Sequence, residues 1–104
     1  VELVGPASSE RAARAARLAD VHGLTLVEPY DARAIIAATG TIALEIFEAL
    51  GTDAALELYV PVSGGGLLAG IATAARLGAR NVRVIGVEPD VAADALASRR
   101  AGAR

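Results

Sequence analysis

The run Ser63-Gly64-Gly65-Gly66 has the plainest chemical use of any stretch in this sequence. It stands between an apolar run, Leu56 to Val62, and a helical pattern that opens at Leu67 and closes at Gly78. Strand, glycine loop, helix is an order suited to holding an anion. The first N–H groups of a helix have no partner within it, and the helix dipole places roughly half a positive charge there. Glycines adopt backbone conformations closed to other residues and let a ligand touch bare main chain. Together these features predict a phosphate cradle built from amides. No Lys or Arg lies between Leu56 and Ala75, so any anion here must be held by backbone. The competing reading is a plain turn between a buried strand and a helix. Each glycine costs about 1 kcal/mol against alanine in an ordered element. Three in succession therefore favour the anion site.

The elements that must position this loop are legible as an alternation of strands and helices. Val1 to Val4 reads as a strand end, turned by Gly5-Pro6. Ser8 or Ser9 can cap a helix with Glu10 in its first turn. Ala12, Ala13, Ala16, Leu18 and Ala19 form its apolar face, and Arg11, Arg14 and Arg17 form a solvated one. His22-Gly23 closes it, and His22 is a helix-end residue favoured by the dipole. Leu24 to Val27 reads as a second strand, followed by the loop Glu28 to Asp31. Asp31 then caps a short helix over Ala32 to Ala38, which Thr39-Gly40-Thr41 interrupts. A further helix runs from Ile42 to Leu50 and ends at Gly51. Thr52 to Ala55 is a connection. Asn81 to Val87 is another strand, with Gly86 inside it for close approach of backbone or ligand. A last helix spans Val91 to Arg100, with Asp90 as its cap. The pattern predicts an α/β fold: a mostly parallel sheet with helices on both faces, in three layers. Ligands bind such sheets at the carboxyl ends of strands, where Ser63, Glu28 and Glu88 fall.

Composition narrows the function. At 104 residues the chain is enough for one small domain. It is 54% hydrophobic but only 3% aromatic, so Ala, Leu and Val must fill the core. Net charge is -2, with no basic stripe interleaved with aromatics, which argues against nucleic acid as a partner. No apolar run approaches the ~20 residues that span a bilayer, and the N-terminus has no signal-peptide pattern. Cysteine is absent, which removes disulfides and thiolate metal sites and is compatible with a cytoplasmic protein.

Three blocks carry a resemblance. TGTIALEIF (Thr39 to Phe47), VPVSGGGLLAGIA (Val60 to Ala72) and VRVIGVEPDVAADA (Val82 to Ala95) occur in this order. From Leu26 to Ala101 the chain resembles the serine/threonine dehydratase family, which includes serine racemase. These are fold-type II enzymes that use pyridoxal phosphate. The resemblance implies that Ser63, Gly64, Gly65, Gly66 and Leu67 wrap the cofactor's phosphate through their N–H groups. It also implies that this phosphate assists departure of a substrate β-hydroxyl. The expected activity of the full-length protein is that of an ammonia-lyase (dehydratase), taking a hydroxy amino acid to a 2-oxo acid and ammonia. Serine racemization is the alternative outcome. A full-length homo-oligomer acting on a small-molecule amino-acid substrate, with no nucleic acid or membrane partner, is the expected setting.

The resemblance also implies a divalent cation, Mg²⁺ or Ca²⁺, on Glu88, the carbonyl of Ala92, and Asp94. Hard cations take oxygen ligands, and two carboxylates offset the charge. The bland reading makes Glu88 a strand-end residue and Asp94 a helix-start residue, with no metal. The chain departs from the family at three places near the site. Ser63 stands where glycine is usual, Ala38-Thr39 where Gly-Gln is usual, and Glu28 where histidine is usual.

All ten residues in the combined count of Lys and Arg are arginine. Family enzymes tether the cofactor by a lysine Schiff base, and that lysine also moves the α-proton. A chain without lysine does neither, so no catalytic residue is assigned and the chain alone is expected to be inactive. The expected organisation is an internal piece: residues 1–28 end a small domain, and residues 29–104 form the core of a large cofactor-binding domain. Two other readings stay open. Gly64-x-Gly66-x-x-Ala69 also fits a Rossmann-type dinucleotide fingerprint, with Glu88 where a ribose-binding acid should lie. A non-catalytic scaffold is the third.

Overall fold

The computed structural model describes residues 1–51, 55–78 and 81–102. The elements are α1 (Ser8–His22), α2 (Arg33–Leu50), β1 (Leu56–Pro61), α3 (Gly66–Gly78), β2 (Val82–Val87), a 3-10 turn (Asp90–Ala92) and α4 (Asp94–Ala101). Strands β1 and β2 pair in parallel, Leu56 opposite Val82 and Pro61 opposite Val87. Helix α3 makes the crossover between them, as a parallel pair requires. This is the expected α/β class with a parallel sheet, here of two strands. Of the expected Thr52–Ala55 connection, residues 52–54 lie outside the described residues.

The pleat sorts the strand side chains. Leu56, Leu58 and Val60 alternate with Glu57, Tyr59 and Pro61, and the first set turns toward the core. Val82 and Val84 of β2 join them. Leu67, Ile71 and Ala75, four residues apart, bring one stripe of α3 onto that face. Ala43 and Phe47 of α2 complete the buried cluster with Val60, Ile71 and Ala75. Thus α3 lies on the sheet and α2 lies on α3. On the opposite face Glu57 pairs with Arg83 at 3.0 Å, and the Tyr59 hydroxyl donates to Glu57. Among the described residues no helix packs against that face.

Helix α2 corrects the sequence expectation of two short helices. It runs unbroken through Thr39-Gly40-Thr41. Glycine weakens a helix but does not end it when something else requires the missing Cβ. Gly40 crosses α3 at Gly70. A Cβ on Gly70 would lie 2.2 Å from the Thr39 hydroxyl oxygen, 2.3 Å from the Ile36 carbonyl oxygen and 2.7 Å from the Gly40 nitrogen. The two helices touch backbone to backbone, which only this glycine pair permits. Gly51 ends α2 as expected, its N–H donating to the Phe47 carbonyl at 2.8 Å.

The expected strands at Val1–Val4 and Leu24–Val27 are irregular segments. A strand is defined by its ladder partner, and neither segment has one among the described residues. Leu3 and Leu24 are exposed accordingly. Helix α1 ends at Gly23 as read from sequence, with φ +62°, but its N-cap position is Ala7 and no serine hydroxyl caps it. Glu2 reaches α1 through Arg14, whose Nε donates to Oε2 at 2.6 Å, and this hydrogen bonding holds the Glu2 carboxyl below its ordinary pKa. Gly86 makes room for the side chains of Val62 and Leu68, which take the space its own Cβ would need. No helix among the described residues is long and apolar enough to cross a membrane.

Candidate functional site

The loop between β1 and α3 opens where the ladder stops. The Val62 N–H still donates to the Val87 carbonyl at 2.9 Å. The first helical bond on the far side is Ala69 N–H to the Gly65 carbonyl, also 2.9 Å. Between them the amides of Ser63, Gly64, Gly65, Gly66, Leu67 and Leu68 donate to no carbonyl or side chain of a described residue. Gly65 sits at φ +87°, a left-handed conformation that swings the chain into the helix. The result is a crook of consecutive donors at a helix start. Ser63 and Gly64 are exposed, so water or a ligand can reach these donors.

The crook forms one wall of a cleft of about 430 Å³. That volume lies within the span of small-molecule sites, about 300 to 1,000 Å³. Ser63, Gly64, Gly65 and Gly66 line it together with Ala69. Tyr30 and Asp31 come from the loop before α2, and Asp94, Ala95 and Ser98 come from α4. The structure thus brings four of the five expected phosphate-binding residues to the cleft wall. The Leu67 side chain turns into the core, and only its amide remains for a ligand.

Thr39 fixes the crook from behind. Its hydroxyl lies 3.0 Å from the Ile36 carbonyl and 3.0 Å from the Gly66 carbonyl. One proton serves both acceptors, so helix α2 is tied to the first residue of α3 across 27 positions of sequence. Sequence reasoning treated Thr39 as part of a helix break and missed this contact. A threonine beside a helix-packing glycine was the only available signal.

Glu88 has a role other than either sequence reading gave it. Its Oε1 accepts the Ala95 N–H at 2.9 Å, and its Oε2 accepts the Leu96 N–H at 3.0 Å. The carboxylate caps α4 from the end of β2, two donors of the first turn being met at once. The expected cap, Asp90, lies instead in the 3-10 turn, where the Pro89 carbonyl accepts the Ala92 N–H at 2.9 Å. Asp94 lines the main cleft, whereas Glu88 lines a separate cavity with Leu96 and Arg99. No group of three or more acidic or histidine side chains converges among the described residues.

Comparison with known proteins accords with this geometry. A family profile described as pyridoxal-phosphate dependent enzyme matches residues 1–104. The biosynthetic L-threonine dehydratase IlvA of Mycobacterium leprae is 43% identical over 104 residues, covering 98% of this chain and 24% of that protein. The serine racemase of Schizosaccharomyces pombe is 43% identical over 93 residues, covering 89% of this chain and 28% of that protein. The processed form of threonine deaminase isoform 2 from Solanum lycopersicum superposes over 100% of this chain and 28% of its own. Its TM-score is 0.85 and its identity 38%. The chain therefore spans about a quarter of the length of the relatives it matches.

Proposed function

The chain belongs to the pyridoxal-phosphate dependent enzymes, and from that premise we propose that its glycine crook holds the phosphate of that cofactor in an ammonia-lyase acting on a hydroxy amino acid. The observation that carries the proposal is the run of unbonded amides from Ser63 to Leu68 at the start of α3. A phosphate dianion presents acceptors in several directions, and this crook offers six donors in succession at a helix start. The absence of Lys and Arg from the crook fits a group whose charge is met by amides and helix dipole.

Residues 63–67 supply the amides, and Ser63 adds a hydroxyl at the rim. Thr39 keeps the crook in register with α2. When bound, pyridoxal phosphate supplies an electron sink that weakens the bonds at the α-carbon of an amino acid. This chain contains no lysine, so it contributes neither the covalent tether nor the base at that carbon. Its own work is to anchor one end of the cofactor and to wall the cleft beside it. Residues 1–28 are assigned to the end of a small domain and residues 29–104 to the core of a large one. A cytoplasmic homo-oligomer without nucleic acid or membrane partners is the proposed setting, and sedimentation of the full-length protein reads the assembly.

Substrate class follows from the relatives named as threonine dehydratases. The test is to supply the full-length protein with pyridoxal phosphate and L-threonine or L-serine and to measure 2-oxo acid and ammonia. Stoichiometric release of both is the expected result, with none from this chain alone. Recovery of D-serine without ammonia would assign the racemase outcome instead. Loaded protein that changes neither amino acid would remove the proposal. The cation expected at Glu88, Ala92 and Asp94 gains no support from the geometry, because Glu88 and Asp94 line separate cavities and no group of three metal-ligating side chains converges among the described residues. The helix cap is the role we propose for Glu88.

A further inference from the structure

The cleft wall contains one aromatic residue, Tyr30, and it is packed against the crook more tightly than anything else there. A Cβ built on Gly64 would fall 2.3 Å from Tyr30 Cγ, 2.4 Å from Cδ1 and 2.7 Å from Cδ2. A Cβ built on Gly66 would fall 2.5 Å from the Tyr30 carbonyl oxygen and 2.9 Å from its Cα. Real Cβ atoms do not approach other atoms this closely. The Tyr30 ring therefore occupies the space a side chain would need at position 64, and its backbone does the same at position 66. Gly65, between them, faces open space.

We propose that Tyr30 is a positioning residue that braces the glycine crook and holds its amides ready for phosphate before the ligand arrives. This rests on the reading of the crook as a phosphate cradle. A loop of three glycines has the greatest backbone freedom of any tripeptide, and that freedom must be lost on binding unless it is lost beforehand. A flat ring on Gly64 and a peptide unit on Gly66 remove much of it beforehand. Preorganisation of this kind raises affinity without adding a contact to the ligand. The contacts come from ring carbons and main chain, so the hydroxyl plays no part. Tyr30 also lines a second cavity, with α1 residues Ser8 and Arg11 and with Leu26.

The test compares pyridoxal phosphate with pyridoxal, which lacks the phosphate, by equilibrium dialysis of the apo form of the full-length protein. The wild-type protein prefers pyridoxal phosphate. Tyr30→Ala reduces that preference roughly tenfold, the factor expected when one loop residue must be ordered on binding. Affinity for pyridoxal stays unchanged, and Tyr30→Phe restores the preference. Gly64→Ala, whose new methyl collides with the ring, produces the same selective loss in the presence of Tyr30. It adds little to Tyr30→Ala, and it serves alone if Tyr30→Ala does not fold. A wild-type protein with no preference for the phosphate would overturn the cradle, and the brace with it. A clear preference left untouched by Tyr30→Ala, or by Gly64→Ala, would overturn the brace alone.

Discussion

Replacing Gly70 by alanine is the sharpest test of how this fold positions its site. The new Cβ would meet the Ile36 carbonyl oxygen at 2.3 Å and the Gly40 nitrogen at 2.7 Å. Both are main-chain atoms of α2 and cannot rotate away. Ordinary contact between heavy atoms needs about 3.5 Å, so the helices must part by roughly 1 Å. Overpacking of this kind costs about 1–3 kcal/mol, and the absence of a side-chain escape places Gly70→Ala near the upper end. The helix propensity of alanine returns about 1 kcal/mol. The net expectation is a loss of about 2 kcal/mol. Gly78→Ala is the matched control. Among the described residues its Cβ meets only Phe47 Cδ2, at 3.9 Å, an ordinary contact. It should be neutral or stabilising by up to about 1 kcal/mol. Urea denaturation of the full-length protein, followed by far-ultraviolet circular dichroism, measures both variants. Parting the helices also pulls the Thr39 hydroxyl from the Gly66 carbonyl, so Gly70→Ala should weaken pyridoxal phosphate binding and Gly78→Ala should not. If the two variants are equally stable, α2 and α3 do not meet through backbone, and the account of the crossing fails.

Three further outcomes follow from single contacts. Thr39→Val keeps the shape of the side chain but removes the donor shared by Ile36 and Gly66; it should cost about 1 kcal/mol in denaturation, whereas Thr39→Ser should be nearly silent. Glu88→Ala uncovers two amides of α4 and should lower stability by about 1–2 kcal/mol, while Ca²⁺ leaves the wild-type melting temperature unchanged; a Ca²⁺-dependent rise abolished by Asp94→Asn would reinstate the cation. Tyr59 donates to Glu57 at 2.8 Å, and this bond, with the carboxylate charge behind it, raises the phenol pKa above its ordinary value. Folding thus favours neutral Tyr59. That contribution is present below the ordinary phenol pKa, about 10, and is lost as pH rises through the higher folded value. The tyrosinate absorbance assigned to Tyr59, taken as the difference from Tyr59→Phe, should appear at higher pH than free tyrosine and return toward it in Glu57→Gln.

What could be read from sequence was local. The order of β1, crook and α3 was legible because an apolar run, a glycine cluster and a 3.6-residue period follow one another without interruption. The ends of α1 and α2 were legible because Gly23 and Gly51 carry their own conformational signal. The misread features depend on partners distant in the chain. Gly40 resembles a helix break until Gly70, thirty positions on, is seen to need the space. Val1–Val4 and Leu24–Val27 have strand composition, but a strand exists only beside another strand. Glu88 reaches forward seven and eight residues to α4. Nothing in the spacing separates that reach from cation binding. Tyr30 stands 34 positions before Gly64, and no periodic pattern connects them.

The glycines themselves carry less of the functional argument than their number suggests. Gly64 and Gly66 are required with no ligand present, because Tyr30 occupies the space their side chains would fill. Gly65 is required by its positive φ, and Gly70 by the backbone of α2. Packing and turn geometry thus account for all four. They do not account for six successive amides that meet no acceptor among the described residues. The amides at the start of α3 have no partner within the helix, and Ser63 and Gly64 are exposed, so water or a ligand meets these donors. Open donors at the positive end of a helix, beside a cleft of ligand size, are the feature on which the proposed phosphate site rests.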